Sequence, residues 1–238
     1  MRNNLISSVQ NDKVKKLKAI KRDNKSEFFL VENYHLVEEA LKQNLVIEIY
    51  ELDSKNTYSQ ATKITDNVLK SLTTLQNPEG VIALCHKPQK VEIGNKIVFL
   101  DNVQDPGNVG TIIRNMRAFG FDTLFTNVNV YNDKIIRSTQ GALFDLNIIK
   151  IQDSYAPLKE LKQKGYCLLA TSLDKDSINF SQYNYKKDKL VIILGNEGQG
   201  INKQLYELCD AKIYIPIDFE SLNVAVASGI ILNKIYNG

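Results

Sequence analysis

Three short stretches of the chain carry polar side chains that could do chemistry. "NVGTIIR" holds Asn108 and Arg114, "LGNEGQG" holds Glu197, and "ESLNVAVASG" holds Ser221 and Asn223. Each follows an apolar run that reads as a strand. Each therefore belongs at the carboxyl edge of a sheet, where open α/β sheets take their ligands. If the helix after the first of these strands begins near Asn108 to Thr111, Arg114 sits in its first turns. A cation is disfavoured there by the helix dipole, so an anionic or polar partner is expected, either Glu197 or a phosphate. Ser221 reads as the N-cap of the last helix. That helix is rich in small residues, Ala225, Ala227, Ser228 and Gly229, which suits a tight internal crossing or a dimer face.

The glycine turns invite a nucleotide-phosphate reading, which their spacing rejects. A dinucleotide fold needs G-x-G-x-x-G after its first strand. Here Gly107 and Gly110 are followed by Ile113 where a third glycine should stand. A Walker loop needs Gly-Lys, and Gly110 precedes Thr111. "GNEGQG" at 195–200 fits neither template. The three cysteines, Cys85, Cys167 and Cys209, lie far apart without a CxxC, and only His35 and His86 could join them. Neither a metal site nor a disulfide framework is expected; buried free thiols are. No apolar run approaches the roughly 20 residues of a membrane helix, and "MRNNLISSVQ" has no signal-peptide hydrophobic region. The expectation is a soluble, cytoplasmic protein without metal or membrane.

The elements that must position these groups can be read from the pattern of the chain. With 43% apolar residues among 238, a packed core is assured. The net charge of +3 does not by itself mark a nucleic-acid binder. The charge is unevenly placed, however: Lys13, Lys15, Lys16, Lys18, Lys21, Arg22 and Lys25 crowd one helix-like segment whose apolar stripe is Val14, Leu17 and Ile20. That segment is either a solvated helix face or a phosphate-backbone contact. Residues 1–86 read as a compact α/β unit with strands "FFLVE", "LVIEIYEL" and "GVIALCH". Residues 87–96, polar with Pro88 and Gly94, read as a linker. From 97 to 238 strands alternate with helices, which argues for a mostly parallel sheet covered on both faces.

Together, "DPGNVGTIIRNMRAFG", "LGNEGQGI" and "IPIDFESLNVAVASG", in this order and spacing, resemble the three motifs of the SpoU (TrmH-type) RNA ribose 2′-O-methyltransferases of the SPOUT superfamily. "RSTQGALF" resembles the connecting segment of that family. "SSVQNDKVKKLKAIK", "FFLVENYHLVEEAL" and "NPEGVIAL" resemble its ribosomal-protein-like RNA-binding domain. Two departures stand out. Glu32-Asn33 replaces the usual Glu-Gly, and only "IDFE" separates Pro216 from Ser221.

The resemblance implies an α/β fold with a trefoil knot in the C-terminal domain, 97–238, and a small N-terminal RNA substrate-binding domain, 1–86. It implies S-adenosylmethionine as cofactor, held by backbone groups at Gly195, Ile215 and Leu222. The reaction is 2′-O-methylation of a ribose in RNA. Ribosomal RNA suits the accessory domain best. Transfer RNA is the runner-up, and a catalytically weakened RNA-binding member of the fold is a further alternative. Arg114 matches the catalytic arginine and would fix phosphate and hydroxyl. Asn108 and Glu197 would orient it and the substrate, and Ser221 and Asn223 would complete the site. Given an RNA substrate, Lys15, Lys16, Lys18 and Lys21 become phosphate contacts. The resemblance also implies a homodimer through the C-terminal domain.

Overall fold

The structure, a computed structural model, describes residues 5–89, 92–185 and 188–238. Lys90 and Val91 of the expected linker lie outside the described residues, as does the "MRNN" that begins the chain. In chain order the elements are α1 (Asp12–Arg22), β1 (Phe28–Glu32), α2 (Tyr34–Lys42), β2 (Val46–Leu52), β3 (Thr62–Ile64), α3 (Asp66–Leu72) and β4 (Val81–His86). There follow β5 (Lys96–Asp101), α4 (Pro106–Ala118), β6 (Thr123–Thr126), α5 (Asp133–Thr139), β7 (Asn147–Lys150), α6 (Tyr155–Gln163) and β8 (Cys167–Thr171). The last are β9 (Ile178–Asn179), β10 (Leu190–Gly195), α7 (Lys203–Tyr206), β11 (Ala211–Tyr214) and α8 (Val224–Asn237). Two compact units result, 1–88 with 131–144, and 89–130 with 145–238.

The first unit is a four-stranded sheet in the order β1-β4-β2-β3, with β4 antiparallel to both neighbours and β3 parallel to β2. Side chains alternate across the sheet. Leu30, Leu84 and Ile82 face a cluster with Val14 and Leu17 of α1 and Val68, Leu69 and Leu72 of α3. Phe29 instead meets Tyr131 and Phe144, at ring-centroid distances of 5.0 and 5.7 Å. The 131–144 segment thus packs within this unit, although it follows the expected linker in sequence. Asn33 takes φ of 78° and ψ of 154° and caps α2 by accepting from the Leu36 N–H at 2.8 Å.

The second unit holds seven strands in the order β7-β6-β5-β10-β8-β11-β9. Every neighbouring pair is parallel. Phe99, Val191, Ile193 and Leu168 face one layer with Leu158 and Leu161 of α6 and Leu205 of α7. The alternate residues Val98, Leu100, Ile192 and Leu194 are also fully buried, and on that side α8 packs on β10 and on α4. Burial on both faces is why these strands read as unbroken apolar runs. The expected α/β class with a covered parallel sheet holds. The chain runs outward from β5 through β6 to β7, then returns to place β10 against β5. That reversal puts the switch point of the sheet between β5 and β10, and ligands bind at the carboxyl ends of the strands beside such a point.

Candidate active site at the carboxyl edge of the seven-stranded sheet

The site is assembled at the ends of β5 and β10. Asp101, the last residue of β5, is only 2% exposed. Its carboxylate accepts from the Ser154 hydroxyl at 2.7 Å and the Asn202 N–H at 2.8 Å, tying the turn after β10 to β5. Asp105 then caps α4 by accepting from the Asn108 N–H at 2.8 Å, with Pro106 as the first helical residue. Aspartate followed by proline is a strong helix start. It sets α4 earlier than the expected beginning at 108–111. Arg114 therefore lies two turns into the helix, beyond the reach of the N-terminal dipole. The helix start expected at 108–111 does not hold, and with it goes the dipole cost expected for Arg114. Arg114 is exposed and has no hydrogen bond or ion pair among the described residues.

Glu197, one of the two partners expected for Arg114, bonds elsewhere. Its Oε1 accepts from Asn108 Nδ2 at 2.7 Å. Asn108 Oδ1 in turn accepts from Asn223 Nδ2 at 2.9 Å. Asn223 Oδ1 accepts the Ala225 and Val226 N–H groups at 2.9 and 3.3 Å, capping α8. The directions are forced by chemistry. A carboxylate can only accept, and helix N–H groups can only donate. Both amides must therefore point the same way along the line from α8 to Glu197, and each bond polarises the next. The cap of α8 is thus Asn223 and not Ser221 as expected, and Ser221 is exposed.

The turn after β10 has its own frame. Asn196 and Gly200 exchange two backbone bonds at 3.0 and 2.9 Å. Asn196 Oδ1 accepts from the Gly198 and Gln199 N–H groups, and its Nδ2 donates to the Asn102 carbonyl at 2.9 Å. Gly195 has no room for a side chain: a Cβ would lie 2.4 Å from the Gly200 carbonyl carbon.

Beside this turn is a cavity of about 580 Å³, within the usual size of small-molecule sites. Gly195, Ile215 and Leu222, the expected cofactor residues, all line it, as do Glu197, Ser221 and Asn223. Asn108 and Arg114 do not. Thr171 at the end of β8, Ser172, Leu173 and Asp174 after it, and Tyr206 of α7 form walls that sequence reasoning missed. The only signal for Ser172, Leu173 and Asp174 was their place after the strand "CLLAT". Among the described residues the lining contains two carboxylates, Asp174 and Glu197, and no lysine or arginine. Such a lining favours a ligand carrying positive charge and disfavours a nucleotide phosphate.

The thiols lie outside this chemistry. Burial pushes Cys85 up to about 12 and Cys209 up to about 11, so neither is a ready thiolate. Among the described residues no group of three or more His, Cys, Asp or Glu side chains could hold a metal, and no helix is long and apolar enough to cross a membrane.

The four lysines expected to meet RNA lie on α1 and differ in their freedom. Lys16 is exposed and Lys18 half-buried, and neither has a partner among the described residues. Lys15 is 3.4 Å from Asp12. Lys21 is committed to the interior: its ammonium lies 3.0 Å from Glu32 and 2.6 Å from Asp133, and it donates to the Leu72 carbonyl. Lys21 is therefore a structural cation and not a free phosphate contact.

Comparison with known proteins shows what the chain is similar to. The SpoU rRNA Methylase family model matches residues 95–233, and the MRM3-like substrate binding domain model matches residues 11–83. A 23S rRNA (guanosine(2553)-2'-O)-methyltransferase, RlmP, of Bacillus subtilis is 34% identical over 95% of this chain and 97% of its own. A tRNA (guanosine(18)-2'-O)-methyltransferase of Aquifex aeolicus is 39% identical over 57% of this chain and 66% of its own. The AdoMet-bound crystal structure of an rRNA methyltransferase from Sinorhizobium meliloti superposes with a TM-score of 0.82 at 25% identity, covering 98% of this chain and 97% of that one.

Proposed function

The chain belongs to the SpoU rRNA methylase family, and from that membership we propose that it is an S-adenosylmethionine-dependent RNA 2′-O-ribose methyltransferase acting on ribosomal RNA. The observation that carries this reading is the hydrogen-bonded line from the N-terminus of α8 through Asn223 and Asn108 to Glu197, at the rim of a cavity lined by no lysine or arginine among the described residues. S-adenosylmethionine supplies, when bound, a methyl group on a positively charged sulfur. The cavity suits it in size and in sign of charge. Gly195, Ile215 and Leu222 would hold it through their backbone groups, with Ser172 and Asp174 as a further wall.

The chain's own residues would do the rest. A ribose hydroxyl is a weak acid, so it must be oriented and its proton assisted away. Arg114 would bind the phosphate beside the target and fix the hydroxyl. A guanidinium keeps its proton in proteins, which makes it a poor base. Asn108 would hold Glu197 in one rotamer, leaving the carboxylate charged and available to the substrate, and Ser221 would complete the rim. Lys15, Lys16 and Lys18 would contact the RNA backbone. The trefoil knot and a homodimer through the C-terminal domain belong to the same proposal. The dimer draws support from Val226, Ile230 and Tyr236 of α8, which are 53%, 36% and 58% exposed. A gel-filtration mass of one 27.0 kDa chain would remove the dimer. The same reading puts the protein in the cytoplasm with its RNA.

The deciding assay is transfer of labelled methyl from S-adenosylmethionine to ribosomal RNA. Arg114→Ala should abolish transfer while calorimetric binding of the donor persists, and DNA of equal sequence should accept nothing because it lacks the 2′-hydroxyl. Unchanged turnover in the variant would remove Arg114 from the mechanism.

A further inference from the structure

Residues 172–177 join β8 to β9 by an unusual route. Thr171 at the end of β8 and Ile178 at the start of β9 both pair with Ile213 of β11, from opposite sides. The segment between them must therefore cross β11 as a strap. Ser172, Leu173 and Asp174 of this strap line the cavity. Its backbone bonds are sparse. The Ser172 N–H reaches the Ile213 carbonyl at 3.0 Å, and the Ser177 N–H stays within the strap, on the Asp174 carbonyl.

One side chain ties the middle of the strap to the strand beneath it. Lys212 Nζ of β11 is 3.0 Å from Asp174 Oδ2 and 3.0 and 2.9 Å from the two carboxylate oxygens of Asp176. It also lies 4.9 Å from the ring centroid of Tyr206, a second wall of the cavity. Lys212 does not line the cavity itself, and its side chain is 23% exposed.

We propose that Lys212 is a positioning residue that pins the 172–177 strap and Tyr206 as walls of the methyl-donor cavity. This rests on the reading of that cavity as the donor's site. Charge and geometry then pull in opposite directions. Removing Lys212 makes the surroundings more negative, which would favour a sulfonium. It also frees the wall, which would disfavour binding. The proposal requires the wall to win.

The test uses the full chain with Lys212→Met, Lys212→Arg and Asp176→Asn. In Lys212→Met, the Kd and KM for S-adenosylmethionine should rise about fivefold, the equilibrium effect of losing a surface ion pair at the strong end of its range. The kcat at saturating donor should stay unchanged. Lys212→Arg, which keeps the charge and its reach, should restore binding. Asp176→Asn, a substitution at an acid outside the cavity lining, should show a smaller rise in the same direction, and it serves if Lys212→Met fails to fold. Equal or tighter donor binding by a folded Lys212→Met, or by Asp176→Asn if it does not fold, overturns the proposal. Hydrogen exchange of the 172–177 amides without donor gives a separate check. Faster exchange in the variant supports the pin, and unchanged protection refutes it. If the wild-type chain bound no donor at all, the functional reading would fail, while exchange would still decide the role of Lys212.

Discussion

Gly195→Ala probes the packing on which the cavity depends. The added methyl would sit 2.4 Å from the Gly200 carbonyl carbon, 2.5 Å from the Ile201 nitrogen and 2.7 Å from the Gly200 oxygen. Non-bonded carbons rest at about 3.5–4.0 Å, so one side must retreat by roughly 1 Å. The obstacle is backbone, fixed by the paired Asn196–Gly200 bonds and by the bond from Asn196 to Asn102, so no flexible side chain can swing aside. Overpacking of this kind costs about 1–3 kcal/mol. If the turn yields, it carries Glu197 and the cavity wall with it, and donor affinity falls by about tenfold for each 1.4 kcal/mol. If the turn holds, the cost appears in folding, at about 2–4 °C of Tm per kcal/mol for a chain of this size. Calorimetric titration with S-adenosylmethionine and a thermal melt, read together, should recover the whole loss. A variant that both binds and melts like the wild type would show that Gly195 faces open space and that the close-approach argument is wrong.

Three other perturbations test separate parts of the structure. Asn33 occupies a backbone region that costs a non-glycine residue about 1–3 kcal/mol, while its cap is worth only a few tenths over glycine. Asn33→Gly should therefore stabilise the chain by about 1 kcal/mol in denaturant unfolding, and a loss of that size would refute the strain. Burial pushes Glu51 up, but Lys63, Thr57 and Tyr34 outweigh it and hold its carboxyl below 4.5. Its contribution is thus present above that value and lost on acidification. Lys63→Met strands this buried carboxylate and should cost about 3–5 kcal/mol at neutral pH, with the gap to wild type narrowing as falling pH protonates Glu51; a constant gap would contradict the pairing. Neutralising Lys16 and Lys18 should flatten the salt dependence of RNA binding by about 0.7–0.9 in log–log slope for each phosphate left without its lysine. Lys21→Met should leave that slope alone and lower the melting temperature instead.

The sequence reveals the site's location better than its connections. Unbroken apolar runs such as "KIVFLD" and "LVIILG" mark strands covered on both faces, and polar groups just after them must collect at one edge. Hence Gly195, Glu197, Ser221, Leu222 and Asn223 can be placed together without any coordinates. The cap of α8 cannot be fixed the same way. Ser221 and Asn223 are both good capping types two residues apart, and only the backbone path selects one. The start of α4 is legible in "DP", a stronger signal than the glycines that follow it. The capture of Lys21 by Glu32 and Asp133, and the packing of Phe29 on Phe144, join segments far apart in the chain. Local periodicity carries no information about either. The strap is hidden for another reason: a two-residue strand, β9, leaves almost no pattern.

The two ligands of the proposed reaction have opposite charge, and the site separates them with very few charges of its own. Inside the cavity Asp174 is matched by Lys212, so Glu197 is the carboxylate left to set the field for a cationic donor. Arg114, outside the lining and unpaired among the described residues, would under the proposed function be left to meet an anionic backbone. A direct bond between Arg114 and Glu197 would have cancelled both. What stands beside Glu197 is Asn108, and an amide serves where no charged residue could. A lysine there would neutralise Glu197, and an aspartate would repel it. An amide donates at one end and accepts at the other, so it positions the carboxylate without altering its charge and passes the bond on to Asn223. Asn223 can receive it because the same side chain caps α8. The end of one helix, the turn after a distant strand and the start of another helix are thereby locked in one register, and the register requires two neutral amides between them.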